Sequence, residues 1–449
     1  MTASPPPSLK LAWYGDDFTG ATDTLATAAL AGLRSLLFLG LPTPAQLERA
    51  GPLDALGIAG AARAMTPDEM KIELEPVGRF FASLAVPVMH YKTCSTFDSA
   101  PHIGSIGAAI NILQPHAGNR FVPIIGGQPN LRRFCVFGNL FAACGGTDHI
   151  NRLDRHPTMS RHPVTPMHEA DLRLHLQAQG LPDMGAISYT DYAKNEAALD
   201  IQLNELLNPQ NIDSDKTRSL HPVLFDVSAA SELATIGCLI WQAALKKPLL
   251  AAGPSSVVQA LAAHWGTASG ATPARVAPAA GPVLVLAGSL SPMTALQVAA
   301  ARSYLHISLN ASRLTDDPAY LETTARQLAQ QLANGVHVLA STSSADGAAE
   351  PSQALNGRAL AVACGELLAR VLQITPVKRL GIAGGDTSSH AVQALGAWGL
   401  SYSAQLAPGV ALCRLHSDDP ALDSMELMLK GGQMGSETLF EELLSGSPL

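Results

Sequence analysis

One unit recurs along this chain and dominates what it can fold into. A short apolar run stops at glycine or a polar cluster, and an Ala- and Leu-rich segment follows. LKLAWY at 9–14 ends at Gly15-Asp16-Asp17 and is followed by TGATDTLATAALAGLR. The run reads as a buried strand. The segment after it reads as a helix whose start is rich in Thr and Asp, residue types that cap helix N-termini. SLLFLG (35–40), DALGIAG (54–60), PVMHYKT (87–93), FVPIIGG (121–127) and FCVFGNL (134–140) read as further strands, as do GAISYT (185–190) and PVLFDV (222–227). A helix is expected around 229–246, then strand, Gly turn and helix in PLLAAGPSSVVQALAAHW. Strands alternating with helices predict an α/β fold with a largely parallel sheet flanked by helices on both faces.

The chain has 449 residues, more than a single core of about 250–300 residues accommodates. Residues 266–282, GTASGATPARVAPAAGP, read as a linker of Ala, Pro, Gly, Ser and Thr between domains at 1–265 and 283–449. Beyond it the pattern restarts. VLVLAGS (283–289), VHVLAS (336–341), KRLGIAGG and ELMLKGG read as strands running into turns, and helices are expected after most of them. No period of 20–50 residues repeats along the chain, which argues against a solenoid.

Charge excludes several functions. Lys plus Arg is 29 and Asp plus Glu is 37, a net of −8, and only 15% of residues are charged. Nucleic-acid binding is not expected from such a chain, and its apolar content excludes disorder as the dominant state. No basic stretch followed by an apolar one opens the sequence, and no apolar run reaches the roughly 20 residues that span a bilayer. The expectation is a cytoplasmic protein with no membrane partner. The six cysteines include no C-x-x-C pair, so zinc-ribbon and thioredoxin motifs are absent.

In open α/β sheets ligands bind beyond the carboxyl ends of the strands, so the polar turns there are the candidates. Asp16 and Asp17 are adjacent carboxylates at a strand end. They are costly to hold together unless they bind hydroxyls, a metal or a cation, and one of them can simply cap the following helix. Lys92-Thr93-Cys94-Ser95-Thr96-Phe97-Asp98 combines a cation with hydroxyls that both donate and accept, and suits an anionic, hydroxylated ligand. Arg132 or Arg133 can fork onto a carboxylate. Three turns in the second half lead from strand to helix: Gly288-Ser289-Leu290-Ser291, Gly384-Gly385-Asp386-Thr387-Ser388 and Lys430-Gly431-Gly432-Gln433. Glycine admits close backbone approach and a helix start offers free N–H groups, so together they suit a polyphosphate. No G-x-x-x-x-G-K-[ST] is present, and no G-x-G-x-x-G follows the first strand. A P-loop is therefore excluded, and a nicotinamide-dependent oxidoreductase is disfavoured.

YGDDFTGATDTL, YKTCSTFDS, HPVTPM, GSLSPMTALQ, GGDTS and LKGGQMG occur here in the order in which the four-carbon acid sugar kinases carry similar segments. The chain resembles that family from about residue 9 to about 443. The resemblance implies a bacterial ATP-dependent kinase for acids such as threonate, erythronate or 3-oxo-tetronate. It implies an N-terminal acid-sugar-binding domain, a C-terminal nucleotide-binding domain and catalysis in the cleft between them. Asp16 and Asp17 would hold the sugar hydroxyls, one of them acting as base. Lys92, Ser95, Thr96 and Arg132 would meet the sugar acid. Ser289, Ser291, Gly384, Gly385, Asp386, Thr387, Gly431 and Gly432 would meet ATP. Mg2+ would accompany the phosphates on ligands left open, and a homodimer is the implied assembly. Cys94 stands where the family usually has Asp, and GGQPNLRR replaces a Pro-x-x-Gly-Arg-like segment. Pro101-His102-Ile103-Gly104-Ser105 replaces a usual Arg-Gly-Asn. All three departures fall on the sugar side, so an altered substrate is one reading. A protein that binds sugar acid and nucleotide without catalysis is the other.

Overall fold

The computed structural model describes residues 9–144, 149–162, 164–208, 220–267, 274–289, 291–342 and 357–446. Part of the expected linker (268–273) and residues 343–356 lie outside these residues, as does the side chain of Asp386. Two compact units form. One comprises Met1–Asp16, Thr27–Ser35 and Ala50–Ala271, and the other Asp17–Ala26, Leu36–Arg49 and Thr272–Leu449.

Among the described residues, the main sheet of the first unit has seven parallel strands. Their order across the sheet is Ala55–Ala59, Leu11–Gly15, Val88–Lys92, Leu249–Gly253, Phe121–Gln128, His221–Asp226 and Gly185–Ile187. All five residues of Leu11–Gly15 are buried, which explains why the run is continuously apolar rather than alternating. Helices flank the sheet. One of them, Pro67–Ser83, starts with Pro at its first turn and a capping box in which Thr66 and Glu69 exchange bonds.

FCVFGNL departs from the expected single strand. It folds as an antiparallel hairpin, Arg133–Val136 against Asn139–Ala143. Phe137 and Gly138 form the turn at φ of 48° and 79°. The cause is remote: the buried Asp226 carboxylate accepts the Phe137 N–H at 2.6 Å and the Gly138 N–H at 2.9 Å.

The second unit has a mixed sheet. Leu305–Ser308, Val338–Ser341, Val283–Ala287, Arg379–Ala383 and Glu426–Lys430 run parallel in that order. Val410–His416 and Gly399–Ala407 continue it antiparallel. Its last strand comes from the start of the chain: Leu37 and Phe38 pair with Leu400 and Gly399. Phe38 also packs against Trp398, and the Arg49 guanidinium lies 4.7 Å above the Trp398 ring. SLLFLG is thus a strand as expected, placed in the second sheet. A core of Val283, Val285, Leu339, Met428, Phe440 and their neighbours lies beneath this sheet.

Candidate active site

In the first unit the ends of three neighbouring strands are level, with Gly15 opposite both Ala59 and Lys92. The ladder continues one residue into the turns, where the Asp16 N–H donates to the Lys92 carbonyl at 3.0 Å. Parallel register therefore delivers three polar side chains to one edge. The buried Asp16 carboxylate receives a fork from Arg63, with Nη2 to Oδ1 at 2.8 Å and Nε to Oδ2 at 3.3 Å. Lys92 is buried, and its Nζ donates to the Thr93 carbonyl at 2.7 Å.

Arg63 is the functional candidate that sequence reasoning missed. It follows the Ala55–Ala59 strand in the short helix Ala62–Ala64. Its signal was available: it is a cation just past the carboxyl end of an apolar strand, much as Lys92 is the last residue of one.

The turn after Lys92 is internally bonded. The Thr96 hydroxyl donates to Asp98 Oδ1 at 2.6 Å and lies 3.0 Å from Cys94 Sγ, while Ser95 is half-buried. Burial, aided by the Asp98 charge, pushes the Cys94 thiol up to about 11. Cys94 is therefore a neutral, polarisable contact here and not a thiolate nucleophile. The two arginines of GGQPNLRR differ. Arg132 is exposed at a left-handed turn position, φ 59°. Arg133 is half-buried; its Nη1 donates to the Leu131 carbonyl at 2.5 Å, and its buried Nε has no partner among the described residues. Burial pulls the Arg133 guanidinium below its ordinary value, against the pull of Cys94 and Asp98 nearby. A buried guanidinium N–H without a partner among the described residues asks for an anion.

The three glycine turns of the second unit also meet at one sheet edge, because Ala383 lies opposite both Ala287 and Lys430. The glycines are packed against hydroxyls. A Cβ on Gly288 would lie 2.3 Å from Thr387 Oγ1, and one on Gly432 would lie 2.5 Å from Ser289 Oγ. Gly384, at φ 126°, would place one 3.2 Å from the Ser289 nitrogen. Ser291 caps the helix Pro292–Ala300 and donates to the Gly432 carbonyl. The helix Gly385–Ala394 starts after Gly384, which has no side chain to cap it, and a helix start of this kind suits an anion. Among the described residues, Ser388 Oγ and Gln297 Oε1 are buried without partners.

Lys430 is fully buried, with Nζ 2.9 Å from Thr294 Oγ1 and 3.2 Å from the Gly432 carbonyl. Burial pulls its ammonium down to about 7. An ammonium held by neutral acceptors, an uncapped helix start and glycines with no room for a side chain fit a nucleotide's phosphates.

The carboxylate pair divides between the units. Asp17 belongs to the second. Its Oδ1 accepts the Gly20 N–H at 2.6 Å and its Oδ2 the Thr19 hydroxyl at 2.7 Å, so it does cap the first helix. The same Oδ2 would lie 3.5 Å from a Cβ on Gly385, at the start of the uncapped helix. Among the described residues no three His, Cys, Asp or Glu side chains group as a metal site.

Comparison with known proteins bears on both units. Residues 11–261 match the model of a sugar-binding N-terminal domain, and residues 284–440 match that of a nucleotide-binding C-terminal domain. This chain belongs to the four-carbon acid sugar kinase family. It is 38% identical to a 3-oxo-isoapionate kinase of Paraburkholderia graminis, over 98% of this chain and 95% of that one. It is 30% identical to a 3-oxo-tetronate kinase of Methylobacterium radiotolerans, over 97% of this chain and 99% of that one. Crystal structures of a Salmonella typhimurium LT2 protein (25% identity, TM-score 0.76) and a Haemophilus influenzae protein (26%, 0.69) share its fold. Each comparison covers 96% of this chain and 98% of the other. Among the described residues of this acid sugar kinase family member, no helix is long and apolar enough to cross a membrane.

Proposed function

We propose that this chain is an ATP-dependent kinase that phosphorylates a hydroxyl of a 3-oxo sugar acid, with 3-oxo-isoapionate the first acceptor to test. The observation that carries the reading is the division of labour between two consecutive carboxylates. Asp16 is clamped by Arg63 in the sugar-binding unit, while Asp17 lies against Gly385 in the nucleotide-binding unit. In this reading the two adjacent carboxylates take different roles, Asp16 ordering the acceptor's surroundings and Asp17 serving the reacting hydroxyl. Similarity to the two 3-oxo sugar acid kinases supports the substrate class.

Phosphoryl transfer needs positioning and charge neutralisation more than covalent chemistry from the protein. Lys92 and Arg133 hold the acid's carboxylate, and Ser95 and Thr96 receive its hydroxyls. Gly288, Gly384 and Gly432 let backbone N–H groups approach the phosphates, with Ser289, Ser291 and Thr387 beside them. Lys430 faces their negative charge. Asp17 accepts the proton of the attacking hydroxyl. A magnesium ion accompanying ATP would neutralise phosphate charge when bound.

A coupled ADP-release assay over 3-oxo-isoapionate, 3-oxo-tetronate, threonate and erythronate tests the reading. Turnover with a 3-oxo acid is expected, and Asp17→Asn should lower kcat about 100- to 10,000-fold while ATP still binds. ATP binding without turnover on any of these acids would instead mark a non-catalytic binding protein.

A further inference from the structure

The turn that carries Lys92, Ser95 and Thr96 is held from behind by side chains to which the proposed chemistry gives no part. Ser99 Oγ donates to the Phe97 carbonyl at 2.8 Å and lies 2.8 Å from His175 Nε2. The Gln179 amide nitrogen donates to Ser99 Oγ at 2.8 Å and lies 2.9 Å from the same His175 nitrogen. At its other end, Gln179 Oε1 accepts the Gly107 N–H at 3.2 Å and the Ser105 hydroxyl at 3.4 Å.

These bonds fix one another's direction. A backbone N–H only donates, so Gly107 identifies the oxygen of the Gln179 amide. The NH2 end therefore faces Ser99 and His175, and an NH2 group also only donates. His175 Nε2 must accept, which leaves the ring neutral with its proton on Nδ1. Burial favours the same neutral form, and the ring also bonds to the Phe97 backbone.

All of this converges on Phe97, which is buried at φ 56°. A bulky residue rarely adopts that left-handed conformation unless its surroundings impose it. Phe97 lies in the same turn as Ser95, Thr96 and Asp98, so its conformation sets where their side chains point.

We propose that His175 and Gln179 are positioning residues for the acid sugar, locking Phe97 in its left-handed conformation and so aiming Ser95 and Thr96 beside Lys92. The proposal rests on the reading that this turn receives the sugar acid.

Steady-state kinetics of the full chain, with ATP and the better of 3-oxo-isoapionate and 3-oxo-tetronate, separate the two. Lys92→Met must raise the sugar-acid KM. If it does not, or if neither acid turns over, the underlying reading falls and the proposal with it. Given that rise, His175→Ala and Gln179→Ala should each raise the sugar-acid KM about tenfold, the worth of one buried hydrogen bond, with kcat and the ATP KM within about twofold. His175→Gln, which returns an uncharged acceptor near the Nε2 position, should restore the sugar-acid KM to within about threefold. Should His175→Ala not fold, Ser99→Ala removes the shared hydroxyl at little cost in volume and carries the same expectation. An unchanged sugar-acid KM would overturn the proposal while leaving the Lys92 reading intact. An equal rise in the ATP KM, or no rescue by His175→Gln, would also overturn it, because the network would then serve general stability.

Discussion

Replacing Lys430 with methionine should stabilise the protein while impairing its use of ATP. The native ammonium ionises near 7 against an ordinary 10.5, and burial is the cause. At about 1.36 kcal/mol per factor of ten in proton affinity, keeping that charge in the native state costs roughly 5 kcal/mol below pH 7. Methionine fills similar space without charge, and its thioether adapts to irregular gaps. The substitution orphans little. The Gly432 carbonyl still receives the Ser291 and Thr294 hydroxyls. The variant should therefore gain a few kcal/mol at pH 6, which is on the order of 5–10 °C in Tm. The sign with pH follows from which state holds the proton. Between about 7 and 10.5 the unfolded chain binds a proton that the native chain does not, so wild-type stability climbs with pH across that window. The advantage of methionine is complete below pH 7 and fades toward pH 10.5. Denaturant titrations of both proteins at pH 6, 8 and 9.5, with ATP calorimetry on each, read out the two halves. A stability gain that is independent of pH would refute the burial argument. An unchanged ATP affinity would refute the placement of Lys430 at the phosphates.

Three further substitutions or treatments test separate parts of the site. Arg133→Met should raise the sugar-acid KM about 10- to 100-fold, the range for a lost charge-assisted hydrogen bond, while Arg132→Met should leave it within about twofold; equal effects in steady-state assays would contradict the assignment. Gly432→Ala puts a Cβ 2.5 Å from Ser289 Oγ, so it should raise the ATP KM and spare the sugar-acid KM; unaltered ATP kinetics would show that the two turns yield. Cys94, with its thiol near 11, is overwhelmingly protonated at pH 8, so iodoacetamide at that pH should leave activity intact; rapid inactivation traced to Cys94 by peptide mapping would show a thiolate instead.

What the sequence made legible, and what it did not, follows the range of the interactions. LKLAWY before Gly15-Asp16-Asp17, and the glycine turns at 288, 384 and 431, are local signals. They survive translation into structure because strand, turn and helix start are each encoded within a few residues. Asp16 and Asp17 were legible as a pair but not as two roles, since Arg63 lies 47 residues from Asp16 and Gly385 lies far along the chain from Asp17. The hairpin at Phe137 was invisible for the same reason: its turn is held by Asp226, 89 residues away. Arg63 escaped notice because Ala-rich GAARAM has no periodicity or motif spacing to mark it. Cys94 reads as a lost carboxylate, and only the folded chain shows the burial that keeps its thiol neutral beside Thr96.

The pairing of Leu37 with Leu400 also bears on how the chain is made. The partners are 363 residues apart, 400 − 37. At roughly 5–20 residues per second on the ribosome, the early strand waits about 20–70 s before its partner has been synthesised. Through that interval an apolar edge, SLLF, has no sheet to join, a time when chaperone binding or pairing with a neighbouring nascent chain competes with the native pairing. A gene cut between the two matched domains would make the wait permanent. The N-terminal product would carry SLLF without its partner, and the C-terminal product would expose the edge of Gly399–Ala407. Continuity of the reading frame is, for this sheet, part of the fold.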